Sequence, residues 1–196
     1  MTLSLLVSMS LFALVASLSP GPVNLVSLSC SARFGAKAGI NYITGATLGF
    51  ILLFLLIGLA LQQILSLLPH LTLLLRGLGT LFLLYLSWQL WHDKGELKVE
   101  GDDSTPNFMM GAVIQWLNPK AWLASVSGIA VYIPSAEFEQ VLIFASLYLP
   151  ICWLSLGVWV VIGILLGQYF QSPAKMRLLN RTLGGLLAAS SLAIWF

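Results

Sequence analysis

Long apolar runs separated by short polar breaks make up most of this chain. Six runs stand out, at Leu3–Ala32, Ile40–Ile64, Leu71–His92, Phe108–Ile133, Val141–Phe170 and Leu178–Phe196. A helix needs roughly 20 mostly apolar residues to cross a hydrocarbon core of about 30 Å. The runs reach that length without the strict alternation of a barrel strand. The pattern therefore predicts an all-α integral membrane protein with six transmembrane helices. One connection is clearly polar: Asp93–Asn107 carries Lys94, Glu96, Lys98, Glu100, Asp102 and Asp103. It divides a single transmembrane domain, 1–196, into a first three-helix half, 1–92, and a second, 108–196.

Two short motifs interrupt the apolar runs. Ser19-Pro20-Gly21-Pro22-Val23-Asn24 lies inside the first, and Asn118-Pro119-Lys120 inside the fourth. Proline has no backbone donor and clashes with the preceding turn, so it breaks a helix. Interrupted backbone is tolerated at membrane depth only where protein or a water-filled cavity surrounds it. Pro20 lies thirteen residues before Arg33 and Pro119 twelve after Asn107, so both breaks fall at similar depth. Three spans per half insert the halves in opposite directions. Arg76-Gly77-Leu78-Gly79 and Arg181-Thr182-Leu183-Gly184 hint at the same repeat. Discontinuous helices at matched positions of inverted repeats point to a transporter's binding site.

Composition narrows the class. The chain is 59% hydrophobic and 8% charged, where an average globular domain carries about 25% charged residues. Its mean hydropathy is +0.95. The net charge of +2 comes with no basic stripe that would suit nucleic acid. Cys30 and Cys152 form no C-x-x-C pair, so neither a disulfide framework nor a zinc site is expected. No Asp or Glu falls inside a span, and no His or Cys cluster replaces them, which argues against metal transport and an intramembrane carboxylate relay. No cofactor is implied. The opening Met-Thr-Leu-Ser-Leu-Leu has no basic n-region, so the first run is expected to stay as a span rather than be cleaved as a signal.

The basic residues set an orientation. Arg33, Lys37, Lys94, Lys98, Lys175, Arg177 and Arg181 all fall on one side of the six-span layout, and the other side carries Glu137 and Glu139. Lysine and arginine accumulate in cytoplasmic loops, so both termini are expected outside. Arg76 lies near the outer interface and can snorkel to the headgroups. Lys120 lies deep: thirteen residues past Asn107, at about 1.5 Å each, is roughly 20 Å of rise. An ionisable residue at that depth is a functional candidate. Trp88, Trp91 and Trp195 fit interface belts, and Gly45, Gly49 and the Gly184/Ala188 pair fit close helix packing.

Polar side chains gather at both breaks. Ser17, Asn24, Ser27 and Ser31 fall near one stripe, and Gln115, Asn118, Trp122 and Ser125 share another face. Ordinary interhelical hydrogen bonding accounts for isolated serines. It accounts less well for Asn24, Gln115 and Asn118 beside two breaks. The prolines also release the carbonyls of Ala16, Leu18 and Gln115, either as part of a structural kink or to meet a ligand. On an unbroken helix Lys120 and Asn118 would point about 200° apart, so they share a cavity only if the Pro119 break redirects the chain. The candidate substrate-binding set is Ser17, Pro20, Gly21, Pro22, Asn24, Gln115, Asn118, Pro119 and Lys120.

At these residues the chain resembles the LysE/RhtB amino-acid exporters. The likeness rests on Ser19-Pro-Gly-Pro-Val-Asn24, on Arg33-Phe-Gly-Ala-Lys-Ala-Gly39 with Gly45 and Gly49, and on Leu117-Asn-Pro-Lys-Ala-Trp122. It implies a non-enzymatic exporter of amino acids in a bacterial inner membrane, with a small amino acid and the lipid bilayer as partners and a homodimer as one assembly open to it. Threonine-, homoserine- or cysteine-like substrates are expected. Cationic amino acids are the alternative, against which stands the lack of intramembrane carboxylates. Two readings of other classes remain, a membrane thiol or electron carrier built on Cys30 and Cys152, and a helical scaffold without substrate.

The basic bias yields a direct expectation. A reporter that works only in the cytoplasm, fused after Phe196, stays silent. A strong cytoplasmic signal from a correctly inserted fusion reverses the topology.

Overall fold

The structure, a computed structural model, describes residues 2–60, single helical positions between 77 and 92, and residues 106–133, 137–169 and 172–192. Most of the expected third span, residues 93–105 of the polar connection, Arg76 and Trp195 lie outside the described residues. Within them the chain is all helical, as the apolar runs predict. The elements are α1 (Leu3–Leu18), α2 (Pro22–Leu59), α3 (Phe108–Trp116), α4 (Pro119–Tyr132), α5 (Phe138–Tyr169) and α6 (Pro173–Leu192). By length and composition, α2 and α5 can cross a membrane.

The boundaries differ from the expected spans in an instructive way. The first run divides into α1 and the start of α2, and the fourth into α3 and α4. The loop expected between Ala32 and Ile40 shrinks to one residue. A straight α2 of 38 residues would be about 57 Å long. Instead Gly35 adopts φ 85° and ψ −176°, a region essentially reserved for glycine, and α2 doubles back. The Tyr42 hydroxyl donates to the Val23 carbonyl at 3.5 Å across this hairpin, a contact that nineteen residues of straight helix would forbid.

α5 shows the directions of both arms. The first arm of α2 meets α5 in ascending order, Leu28 against Gly163 and Ala32 against Gly167. The second meets it in descending order, with Thr47 bonded to Cys152, Phe54 on Phe144 and Gly58 against Val141. The second arm also runs alongside α3, where Gly45 faces the Phe108 backbone and Gly111 faces the Tyr42 carbonyl. These glycines let backbone lie on backbone, the small-residue packing that membrane helices use in place of a hydrophobic drive. Gly184 packs the same way on Ser87, whose hydroxyl donates to the Gly184 carbonyl at 2.8 Å.

Polarity is inverted relative to a water-soluble bundle. Leu142, Leu149, Leu154, Val158, Val161 and Leu165 of α5 face outward. Asn24, Ser27, Gln115, Asn118 and Ser125 are buried. Large apolar side chains outside and amides inside suit a lipid solvent and would be costly in water.

A Cβ on Gly45 would run into the Phe108 carbonyl, whereas one on Gly157 would meet open space. Overpacking of this kind typically costs about 1–3 kcal/mol. Gly45→Ala is therefore expected to lower the unfolding temperature in detergent by several degrees, and Gly157→Ala to leave it unchanged. Equal melting of the two variants would refute this helix contact.

Candidate functional site

The two interruptions lie side by side. α1 stops at Leu18 and α2 restarts at Pro22, with Gly21 as an extended N-cap that offers no side-chain cap. α3 stops at Trp116 and α4 restarts at Pro119. Both prolines that open a helix stand at its first position, where the missing N–H costs nothing. The Lys120 ammonium spans the gap between the breaks. It donates to the Ser19 carbonyl and to the Ser19 hydroxyl, each at 2.8 Å. Gly21 lies against the same Nζ, and a side chain there would crowd it.

From this junction α2 departs toward Gly35, and α4 departs the opposite way, toward Phe12 and Phe144. The two helices thus meet N-terminus to N-terminus. Each N-terminus carries partial positive charge, although α4 spends its opening N–H groups on Asn118, Lys120 on Oδ1 and Ala121 and Trp122 on the carbonyl. Lys120 adds a full charge between the two N-termini. Such a point favours an anion, a carboxylate included.

Asn118 explains how Lys120 and the Asn118 amide come to share a cavity. Its backbone is extended, at φ −92° and ψ 108°, so α4 does not continue the phase of α3. Its side-chain oxygen accepts the Lys120 backbone N–H at 3.1 Å. Trp122, one turn on, donates its indole N–H to the Trp116 carbonyl at 2.8 Å and closes the same break.

The released carbonyls have all found donors. The Ser19 hydroxyl donates to Ala16 at 3.2 Å, Asn24 Nδ2 to Ser17 at 3.0 Å, and Trp159 Nε1 to Leu18 at 3.2 Å. The Asn118 backbone N–H serves Gln115 at 3.2 Å. Of the two readings open for these carbonyls, the hydrogen bonds fit the structural kink: protein donors occupy them. The Gln115 side-chain amide is different. It is buried and lines the cavity.

The cavity beside the junction has a volume of about 40 Å³. Of the sequence candidates, Ser17, Asn24, Gln115, Asn118 and Lys120 line it. Gly21 packs against Lys120 instead, Pro22 and Pro119 are buried as helix openers, and Pro20 is exposed. Ser27, Ser31 and Ser125 from the two polar stripes spend their hydroxyls on the carbonyls of Leu156, Ser27 and Ala121. The remaining wall includes Phe50 from α2 and Tyr148, Cys152 and Leu156 from α5. These last three recur every four residues, a stripe readable in the sequence; only the packing reveals which partner it faces. Among the described residues, no carboxylate lines the cavity and no cluster of metal-ligating side chains exists.

The cysteine/O-acetylserine efflux protein of Klebsiella pneumoniae is 26% identical over 165 residues, covering 80% of this chain and 84% of that protein. The proteins of the same name from Salmonella typhimurium and Escherichia coli K12 are each 24% identical, with both chains covered completely. No solved structure matches. The family model of the LysE type translocator matches residues 14–194, nearly the whole chain, and the protein belongs to that membrane translocator family.

Proposed function

We propose that this translocator exports small neutral amino acids, or close derivatives, across a bacterial inner membrane by alternating access. The observation that carries this reading is the Lys120–Ser19 junction, where two helix N-termini and one ammonium converge on a cavity that is polar at this end. A zwitterion's carboxylate suits Lys120 and the α2 N-terminus. Its ammonium suits amide oxygens, and Asn24 Oδ1 and the Gln115 amide are placed for that. Relatives named for cysteine and O-acetylserine efflux support a small, uncharged side chain. The lack of a carboxylate in the wall weighs against cationic substrates.

Six spans arranged as two inverted three-helix halves, with both termini outside, complete the proposal. The antiparallel meeting of α2 and α4 supports the inversion. A volume of about 40 Å³ has room for about three waters and not for an amino acid, so binding requires the two breaks to part. Rocking of one half on the other supplies that motion. A substrate carboxylate can take over the bonds that Lys120 now gives to Ser19, so binding and opening use the same group.

The thiol-carrier reading finds no support in the geometry. Cys152 accepts a bond from Thr47, whereas Cys30 donates to the Pro106 carbonyl. Cys30 sits between the Gly163 and Gly167 contacts of α5, about thirteen residues or roughly 20 Å from Cys152 along that helix. A disulfide needs Cα atoms within about 7 Å.

Three variants test the site in loaded vesicles at matched protein amounts. Lys120→Met removes a charge-assisted bond worth roughly 1.5–3 kcal/mol, and the affinity for carboxylate-bearing substrates falls on the order of 10- to 100-fold. Carboxyl-blocked analogues lose much less. Pro20→Ala and Pro119→Ala insert normally and transport more slowly. Unchanged affinity and rate in all three reduce the breaks to structural kinks. In counterflow, threonine-like compounds outcompete lysine and arginine; the opposite order overturns the substrate class.

A further inference from the structure

The two ends of the cavity are built differently, and the difference concerns what the substrate's side chain meets. The junction end is polar and held by two hydrogen bonds to Lys120, which a ligand carboxylate can replace. The other end is lined by aromatic rings. Phe50 and Tyr148 line the cavity with ring centroids 4.6 Å apart. Tyr148 also packs on Phe54 at 5.6 Å and on Phe144 at 5.7 Å. Phe144 in turn contacts Phe12 at 6.3 Å and Tyr132 at 5.7 Å. Six rings from α1, α2, α4 and α5 thus form one continuous cluster, and Phe54, Phe144 and Tyr148 are almost wholly buried.

Tyr148, Cys152 and Leu156 follow one another at four-residue steps, about 6 Å apiece, so this wall is roughly 12 Å tall. Leu156 marks its lower limit, where its carbonyl accepts from Ser27. Tyr148 marks its upper limit. Tyr148 packs directly on three rings, Phe50, Phe54 and Phe144, and through Phe144 its displacement also disturbs Phe12 and Tyr132. The rings join α1 and α2 of the first half to α4 and α5 of the second, so in the proposed rocking the ring end is the pivot while the polar junction parts.

We propose that Tyr148, braced by Phe50, is the specificity-determining residue of this translocator: its ring stops the substrate's side chain and sets the longest one accepted. The inference rests on the amino-acid export proposed above. With main-chain groups held at the junction, the side chain extends along Cys152 toward Tyr148. Apolar pockets discriminate one methylene by about 10- to 200-fold, so one ring is enough to impose a cutoff.

The test uses a straight-chain series, alanine, 2-aminobutyrate, norvaline and norleucine, as competitors of efflux in vesicles carrying the full-length protein. With the wild type, competition falls at least tenfold at one step of the series. Tyr148→Val moves that step to a longer chain, and Tyr148→Phe, which keeps the ring, leaves it in place. Phe50→Leu opens the same end from the opposite helix and covers the case in which Tyr148→Val fails to insert. A flat or rising wild-type series overturns the assignment, as does an unmoved step in an inserted variant that lacks either ring. Failure of the export proposal itself looks different: the wild type then moves no amino acid, and no member of the series competes.

Discussion

Pro20, Pro22 and Pro119 withdraw backbone donors from the interior of an apolar bundle, and each carbonyl they release has to find another donor. Water in a bilayer core is not there to help, and an unsatisfied group costs several kcal/mol. The structure meets this demand with side chains drawn from other turns and other helices. Ser19 serves Ala16, Trp159 reaches across from α5 to Leu18, and Trp122 returns to Trp116. Lys120 serves Ser19 from the far half of the chain. Lys120 and Trp122 serve Ser19 and Trp116, carbonyls left open where α1 and α3 end rather than by a proline.

The same requirement gives the site its character. Because the carbonyls are already bonded, the groups left to face a ligand are donors and amides: Lys120, the opening turn of α2, Gln115 and Asn118. In the export reading proposed above, that charge suits an anionic group as the first partner. The junction's strength is also limited. Two hydrogen bonds to one ammonium join the breaks, and a competing carboxylate can supply equivalent ones. The ring cluster behind the cavity has no such substitute, since no ligand group replaces six interlocked rings.

Close backbone packing makes the rest possible. Gly45, Gly111, Gly163 and Gly167 bring α2 onto α3 and α5 with no side chain between them. Lipid offers no hydrophobic gain for this association, so the fit of small residues carries it. Gly35 contributes differently, by turning α2 back on itself and placing both of its arms on α5.

Much of this was legible in the residues themselves. Apolar run length determined the helical membrane class, because only helices and closed barrels satisfy their own backbone in lipid. Proline chemistry located both breaks to within a residue or two, and burial cost singled out Lys120. The hairpin at Gly35 was less plain: its run of small residues reads as a loop, and only the fold shows helix on both sides of a single reversed residue. Tertiary structure alone decided which polar side chains work together. Ser17, Asn24, Gln115, Asn118 and Lys120 line one cavity, while Ser27, Ser31 and Ser125, on the same stripes, serve nearby carbonyls. It also decided that the released carbonyls are occupied and that Tyr148 and Phe50 line the cavity. Helical periodicity states which residues share a face; it carries no information about the neighbour that face meets, and that neighbour determines whether a hydroxyl, an amide or a ring is structural or available.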